Sequence, residues 1–68
     1  MTMLKVIEVL AQSDKSWEDA AQQAVKEAGK SVRNIKSIYI KDMEATVDGD
    51  RIVNYRINGK ISFLLDGS

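Results

Sequence analysis

The chain has 68 residues, with ten Lys and Arg, ten Asp and Glu, and neither Cys nor His. A domain of this size buries only about 60% of the surface that its unfolded chain exposes, and without Cys or His it has neither disulfides nor an ordinary zinc site to stabilise it. We therefore expect a homo-oligomer, and the balanced charge gives no indication of nucleic acid or an anionic membrane as a partner.

Nothing in the sequence resembles a targeting or membrane segment. Residues 1–10 lack the basic region and long apolar run of a signal peptide, and every apolar stretch is too short to cross a bilayer. The absence of Cys is compatible with a reducing compartment. We therefore expect a single cytoplasmic domain over residues 1–68.

The first predicted elements are a strand and a helix. The segment MLKVIEVL, residues 3–10, is short and β-branched, which favours a strand. After a polar connector, Ser16 and Asp19 resemble a capping box, so a helix is predicted to begin at Trp17. Its apolar stripe recurs at spacings of three and four, and we place its end between Ser31 and Asn34, although Gly29 favours an earlier end.

The remainder of the chain predicts two strands joined by a hairpin. The apolar pattern of residues 35–47 changes face part-way, from Ile38 and Ile40 to Met43 and Ala45, which predicts a bulge near Lys41 and Asp42. Alternation over residues 51–65 predicts a final strand of about 50 Å.

The connection DGD, residues 48–50, sets the register of this hairpin. A three-residue loop pairs Val47 with Arg51 and keeps the apolar residues of the two strands on one face, with Gly49 or Asp50 left-handed. The predicted fold is α+β in the order β-α-β-β. One helix cannot cover both faces of the sheet, so four apolar residues are candidates for burial against another subunit: Ile38, Ile40, Ile52 and Leu64.

Several segments together resemble the dodecin family. They are KVIEV (5–9), SWEDA (16–20), VRNI (32–35) and the long final hairpin. The resemblance implies a three-stranded antiparallel sheet partly wrapped around one helix, assembled into a hollow homododecamer. It also implies a non-enzymatic binding or storage protein for a flavin: riboflavin, FMN or FAD.

The residues of the family's flavin site differ in this chain. Alignment through VRNI and Lys36 places the family's flavin-stacking tryptophan at Ser37, beside Tyr39, and alignment through Tyr55 places its flavin-binding glutamine at Arg56. The family also includes calcium dodecins, which lack that tryptophan and which the chain resembles in its segments DM (42–43) and YRI (55–57). A calcium-binding or purely structural shell is therefore the alternative function.

Carboxylates near the hairpin are the candidate metal ligands. Oxygen donors of this kind suit Ca²⁺ or Mg²⁺, although solvated turn charges also account for Asp48 and Asp50. Symmetry within an oligomer can gather single carboxylates into one site. The candidates are Asp42, Glu44, Asp48 and Asp50, with Asp66 as a further oxygen donor.

The remaining polar and aromatic residues have simpler interpretations. Trp17 lies in phase with the apolar stripe of the helix, so we interpret it as a packing residue rather than a ligand platform. Arg56 and Lys60 can hold an anion such as phosphate, but ion pairing or solvent exposure is favoured. Without His or Cys, no spacing indicates a catalytic constellation, and we predict that the protein is not an enzyme.

Overall fold

The structure is a computed structural model that describes residues 2–65. It contains β1 (Leu4–Ser13), α1 (Trp17–Ala28), β2 (Ile35–Asp48) and β3 (Arg51–Leu64). The three strands form one antiparallel sheet in which β3 lies between β1 and β2. The predicted α+β fold in the order β-α-β-β is therefore confirmed.

Helix α1 begins where the capping pattern predicts. The backbone N–H of Asp19 donates to Ser16 Oγ at 2.9 Å. The helix ends at Ala28, however, earlier than the predicted end between Ser31 and Asn34. Gly29 disfavours helix, and turn-type bonds from Lys30 and the next two residues to the carbonyls of residues 27 and 28 close the last turn.

The core lies between α1 and one face of the sheet. Ile57, Ile61 and Phe63 alternate along β3 and are buried together with Ala20 and Ala24 of the helix. The small alanines let the helix lie close to the central strand, so the core depends on short side chains from the helix and long ones from β3.

The change of face predicted in β2 is confirmed as a bulge. Ile40 pairs with Gly59 and Asp42 pairs with Asn58, so Lys41 has no partner in the β3 register. The bulge rotates the later part of the strand by one residue. As a result, the apolar residues on both sides of the bulge lie on the face of the sheet that carries α1: Ile38, Ile40, Met43 and Ala45.

Ile38 and Ile40 lie on the face of the sheet that carries α1, and both are only partly buried within the chain, so their burial against another subunit stays a prediction. They pair with Ile61 and Gly59, on the face that α1 covers. Ile52 is 53% exposed and Leu64 is partly buried opposite Leu4.

The hairpin loop is shorter than predicted. Asp48 pairs with Arg51, so the loop contains only Gly49 and Asp50, and Gly49 has a φ of 67°. A glycine with positive φ at the first loop position suits a two-residue turn. A bulge at Val53 then produces the change of phase that the three-residue loop was expected to produce.

The long strands determine the dimensions of the molecule. Its principal extents are 51 × 20 × 13 Å, in agreement with the length predicted for the final strand. Within residues 2–65, no helix is both long and apolar enough to cross a membrane.

Candidate functional site

The face of the sheet opposite α1, here called the open face, carries a polar central strip. Because Ile57, Ile61 and Phe63 point towards the helix, the alternating residues of β3 point away from it. These residues are polar from the hairpin to the end of the strand: Asn54, Arg56, Asn58, Lys60 and Ser62.

A depression of about 550 Å³ lies on the open face and includes residues of all three strands. The register explains its composition, since Arg56 lies directly between Gln12 on β1 and Glu44 on β2. Asn58 is two residues further along β3 on the same face, and it lies between Leu10 and Asp42. Six of the nine residues that line this open-face depression belong to the open face, namely two acids, one base, two amides and one leucine: Asp42, Glu44, Arg56, Gln12, Asn58 and Leu10.

Arg56 is held by partners on both sides. Its Nε donates to Gln12 Oε1 at 2.7 Å, and its Nη1 lies 3.7 Å from Glu44 Oε1. The side chains of Arg56 and Glu44 are 51% and 67% exposed, and an ion pair this exposed contributes only about 0–1 kcal/mol. The predicted ion pairing of Arg56 is confirmed, and the pair is weak enough for Glu44 to exchange partners.

Asn58 is one of the residues that line the depression, and its side chain is partly buried. Its Oδ1 is shielded from solvent and has no hydrogen-bond partner among the described residues. Asn58 pairs with Asp42 across the strands. The residues that line the depression therefore include two carboxylates and an amide, whose oxygens are the kinds of ligand that Ca²⁺ takes.

The other predicted metal ligands lie elsewhere. Asp48 and Asp50 lie at the hairpin end, and Asp48 is four residues from Glu44 along β2, about 13 Å away. Across residues 2–65, no group of three or more acidic residues is close enough to hold a metal ion. Asp66 lies outside the described residues.

The residues at the family's flavin-stacking position lie at the other end of the open face. Ser37 pairs with Ser62, and their hydroxyl groups are hydrogen bonded. Tyr39 pairs with Lys60 and is 64% exposed. Ser62 is six residues from Arg56, about 20 Å along β3. Within one chain, Ser37 and Arg56 are therefore too far apart to contact the same flavin ring.

Sequence reasoning missed Gln12. The first strand was predicted to end at Leu10, whereas β1 continues to Ser13 and brings Gln12 opposite Arg56. The extension is stabilised by Ser13, whose Oγ donates to Asp19 Oδ2 at 2.6 Å. The polar residues after Leu10 predict a connector, and only their pairing with β3 shows that they belong to the strand.

Trp17 packs against the sheet as predicted. Its ring meets the Tyr55 ring edge to face, with centroids 4.9 Å apart and an interplanar angle of 76°. Its Nε1 donates to the backbone oxygen of Glu44 at 2.9 Å. Trp17 thus contacts β2 and β3 from the side opposite the open-face depression.

Comparisons with known proteins agree with this architecture. Residues 3–66 match the sequence model of the Dodecin family. The chain is 36% identical over 63 residues to the calcium dodecin of Mycobacterium tuberculosis, which covers 93% of this chain and 89% of that protein.

Solved structures give the same result. A crystal structure of the calcium dodecin from M. tuberculosis, described as having a novel calcium-binding site, matches with a TM-score of 0.80 at 36% identity, over 97% of this chain and 94% of that one. An arginine-to-alanine variant of the Thermus thermophilus dodecin matches with a TM-score of 0.91 at 23% identity, over 97% and 98% of the two chains, which supports the fold alone. By sequence and by fold, the chain belongs to the dodecin family.

Proposed function

We propose that the 68-residue chain is one dodecin-like domain whose copies form a hollow homododecamer that binds Ca²⁺ without catalysing a reaction. The observation that carries this proposal is that Asp42, Glu44 and Asn58 line one depression, where Asn58 Oδ1 has no hydrogen-bond partner among the described residues. The 36% identity to a calcium dodecin supports the choice of ion. The cytoplasmic location stays a prediction.

The coordination chemistry of Ca²⁺ explains why an assembly is needed. Ca²⁺ takes six to eight oxygen ligands at about 2.3–2.6 Å, with geometry that is flexible. In one chain, two carboxylates and two side-chain amides line the depression, and the oxygen of one amide, Gln12, already accepts from Arg56. We propose that water and the carboxylates of neighbouring copies complete the shell, because a symmetric assembly brings copies of the same acid together at equivalent interfaces.

The charge of the depression favours a cation over an anion. Two carboxylates face one guanidinium, so each copy contributes a net charge of about −1 there. The exposed pair of Arg56 with Glu44 is weak, and a divalent cation competes for the same carboxylate with twice the charge. Arg56 therefore limits the affinity without preventing binding.

Calorimetry on the assembled protein tests the proposal. We expect heat of binding with Ca²⁺, and at least tenfold weaker binding after Asp42→Asn or Glu44→Gln, since each removes a charged ligand. Asp50→Asn removes a carboxylate at the turn and is the matched control with unchanged affinity. Equal weakening by Asp50→Asn would assign the site to the hairpin end, and no heat together with no metal by elemental analysis would refute calcium binding.

A second candidate ligand is a flavin, favoured by the exposed Tyr39 ring on the open face. Tyr39 can stack on an isoalloxazine, and Arg56 can donate hydrogen bonds or stack on the ring of a flavin held by a neighbouring copy. Ser37 supplies no ring at the position of the family's tryptophan. Titration of riboflavin and FMN distinguishes the ligands, because unchanged flavin fluorescence at high micromolar protein contradicts flavin binding.

A further inference from the structure

We infer that Trp17 is a positioning residue for the open-face depression and acts through the sheet from the helix side. The inference rests on the proposed function in one respect, namely that the ligand binds around Glu44 and Arg56. It goes further by assigning a role to a residue that does not line the depression.

The contacts of Trp17 reach both strands that carry the ion pair. On β2, its Nε1 donates to the backbone oxygen of Glu44 at 2.9 Å. On β3, its ring meets Tyr55, the residue that precedes Arg56, with centroids 4.9 Å apart. One side chain therefore holds the backbone of Glu44 and the neighbour of Arg56 at the point where the two residues pair.

Strand alternation carries this restraint to the other face. Neighbouring residues of a strand point to opposite faces, so a contact that fixes Tyr55 on the helix side also fixes the direction of Arg56 on the open side. β2 is an edge strand with β3 as its one neighbour in the sheet. The Trp17 hydrogen bond gives β2 a second support at the residue whose carboxylate meets Arg56.

The first turn of α1 also contacts β1 next to a residue of the depression. Asp19 accepts a hydrogen bond from the buried Ser13 at 2.6 Å, and Ser13 follows Gln12, which accepts from Arg56. The register places Ser13 opposite Tyr55 and Gln12 opposite Arg56. The start of the helix thus contacts each of the three strands at or beside a residue of the depression.

The variant Trp17→Phe tests the inference, because it keeps an aromatic ring against Tyr55 while removing the Nε1 donor together with one of the two rings of the indole. We expect Ca²⁺ to bind roughly threefold to tenfold more weakly, the equivalent of one hydrogen bond. Val25→Ala, which trims the same helix away from the depression, is the control for stability. If Trp17 had only a structural role, the two variants would change affinity in proportion to their change in melting temperature.

Trp17 emission gives a second test in the unaltered protein, where it is the one tryptophan of the chain. We expect its fluorescence to change during Ca²⁺ titration with the same midpoint as the calorimetric curve. The inference would be overturned if Ca²⁺ bound without changing Trp17 emission and if Trp17→Phe bound Ca²⁺ with unchanged affinity. That result would leave the proposed function intact.

A crystal structure of metal-free Trp17→Phe tests positioning without any ligand. We expect the bridge from Gln12 through Arg56 to Glu44 to be broken, with the Nη1–Oε1 distance beyond the 3.7 Å seen here. An unchanged bridge would overturn the inference, whereas absence of calcium binding with a broken bridge would overturn only the proposed function.

Discussion

Trp17 is the residue whose contacts most directly connect helix and sheet. We expect Trp17→Ala to lower the free energy of unfolding by about 3 kcal/mol, at the low end of the range for large aromatics because the ring is only partly buried. Thermal denaturation measures the change, with Trp17→Phe as the control that retains most of the stability. A Trp17→Ala variant as stable as the parent would contradict the packing role.

Ser37 tests the flavin interpretation at the level of one residue. Aromatic stacking on a planar heterocycle contributes about 1–3 kcal/mol, so we expect Ser37→Trp to strengthen riboflavin binding by roughly tenfold to a hundredfold. Quenching of riboflavin fluorescence measures the affinity. Ser37→Leu adds an apolar side chain without a π face and should give no gain, and an equal gain from both variants would exclude stacking as the cause.

At the scale of elements, we expect replacement of glycine by alanine to change the stability of the protein in opposite directions at two positions. A Cβ on Gly59 would lie 3.3 Å from Ile38 Cδ1 and from the backbone oxygen of Tyr39, so we expect Gly59→Ala to destabilise the protein by about 1–3 kcal/mol. Gly29 has an α-helical φ of −62° and more room, so Gly29→Ala should stabilise it by about 0.5 kcal/mol. Chemical denaturation of both variants measures the difference, and a loss of stability from Gly29→Ala would contradict this account of the helix end.

The elements themselves were predictable where their signals are local. The cap at Ser16, the bulge at Lys41 and the left-handed Gly49 each depend on a few neighbouring residues. The loop length was wrong because a bulge at Val53 on β3 shifts the phase by one residue, as a third loop residue would. No local signal distinguishes that bulge from a longer loop, since both shift the pattern by one residue.

At the scale of the molecule, exposed apolar side chains predict association. Leu10 is 83% exposed on the open face of an edge strand, and Tyr39, Met43 and Val47 are each more than half exposed. We expect light scattering to give about 91 kDa, twelve times the 7.6 kDa chain. Leu10→Ser should shift the population towards smaller species, whereas Lys30→Ser, at an exposed position after the helix, should not. A single species near 7.6 kDa at micromolar concentration would refute the shell.

The sequence by itself determined the element order, the helix start, the bulge in β2 and membership of the family, because each of these follows from neighbouring residues or from shared motifs. Only the tertiary structure decided that Gln12, Glu44 and Arg56 meet in one depression and that Trp17 contacts the backbone of Glu44 and the ring of Tyr55. Positions 12, 44 and 56 are far apart in the chain. They become neighbours only through the register of the strands. That register depends on the turn and on every bulge, each of which shifts the pairing by one residue. Because these shifts cancel or add, the pairing cannot be predicted from any one of them alone.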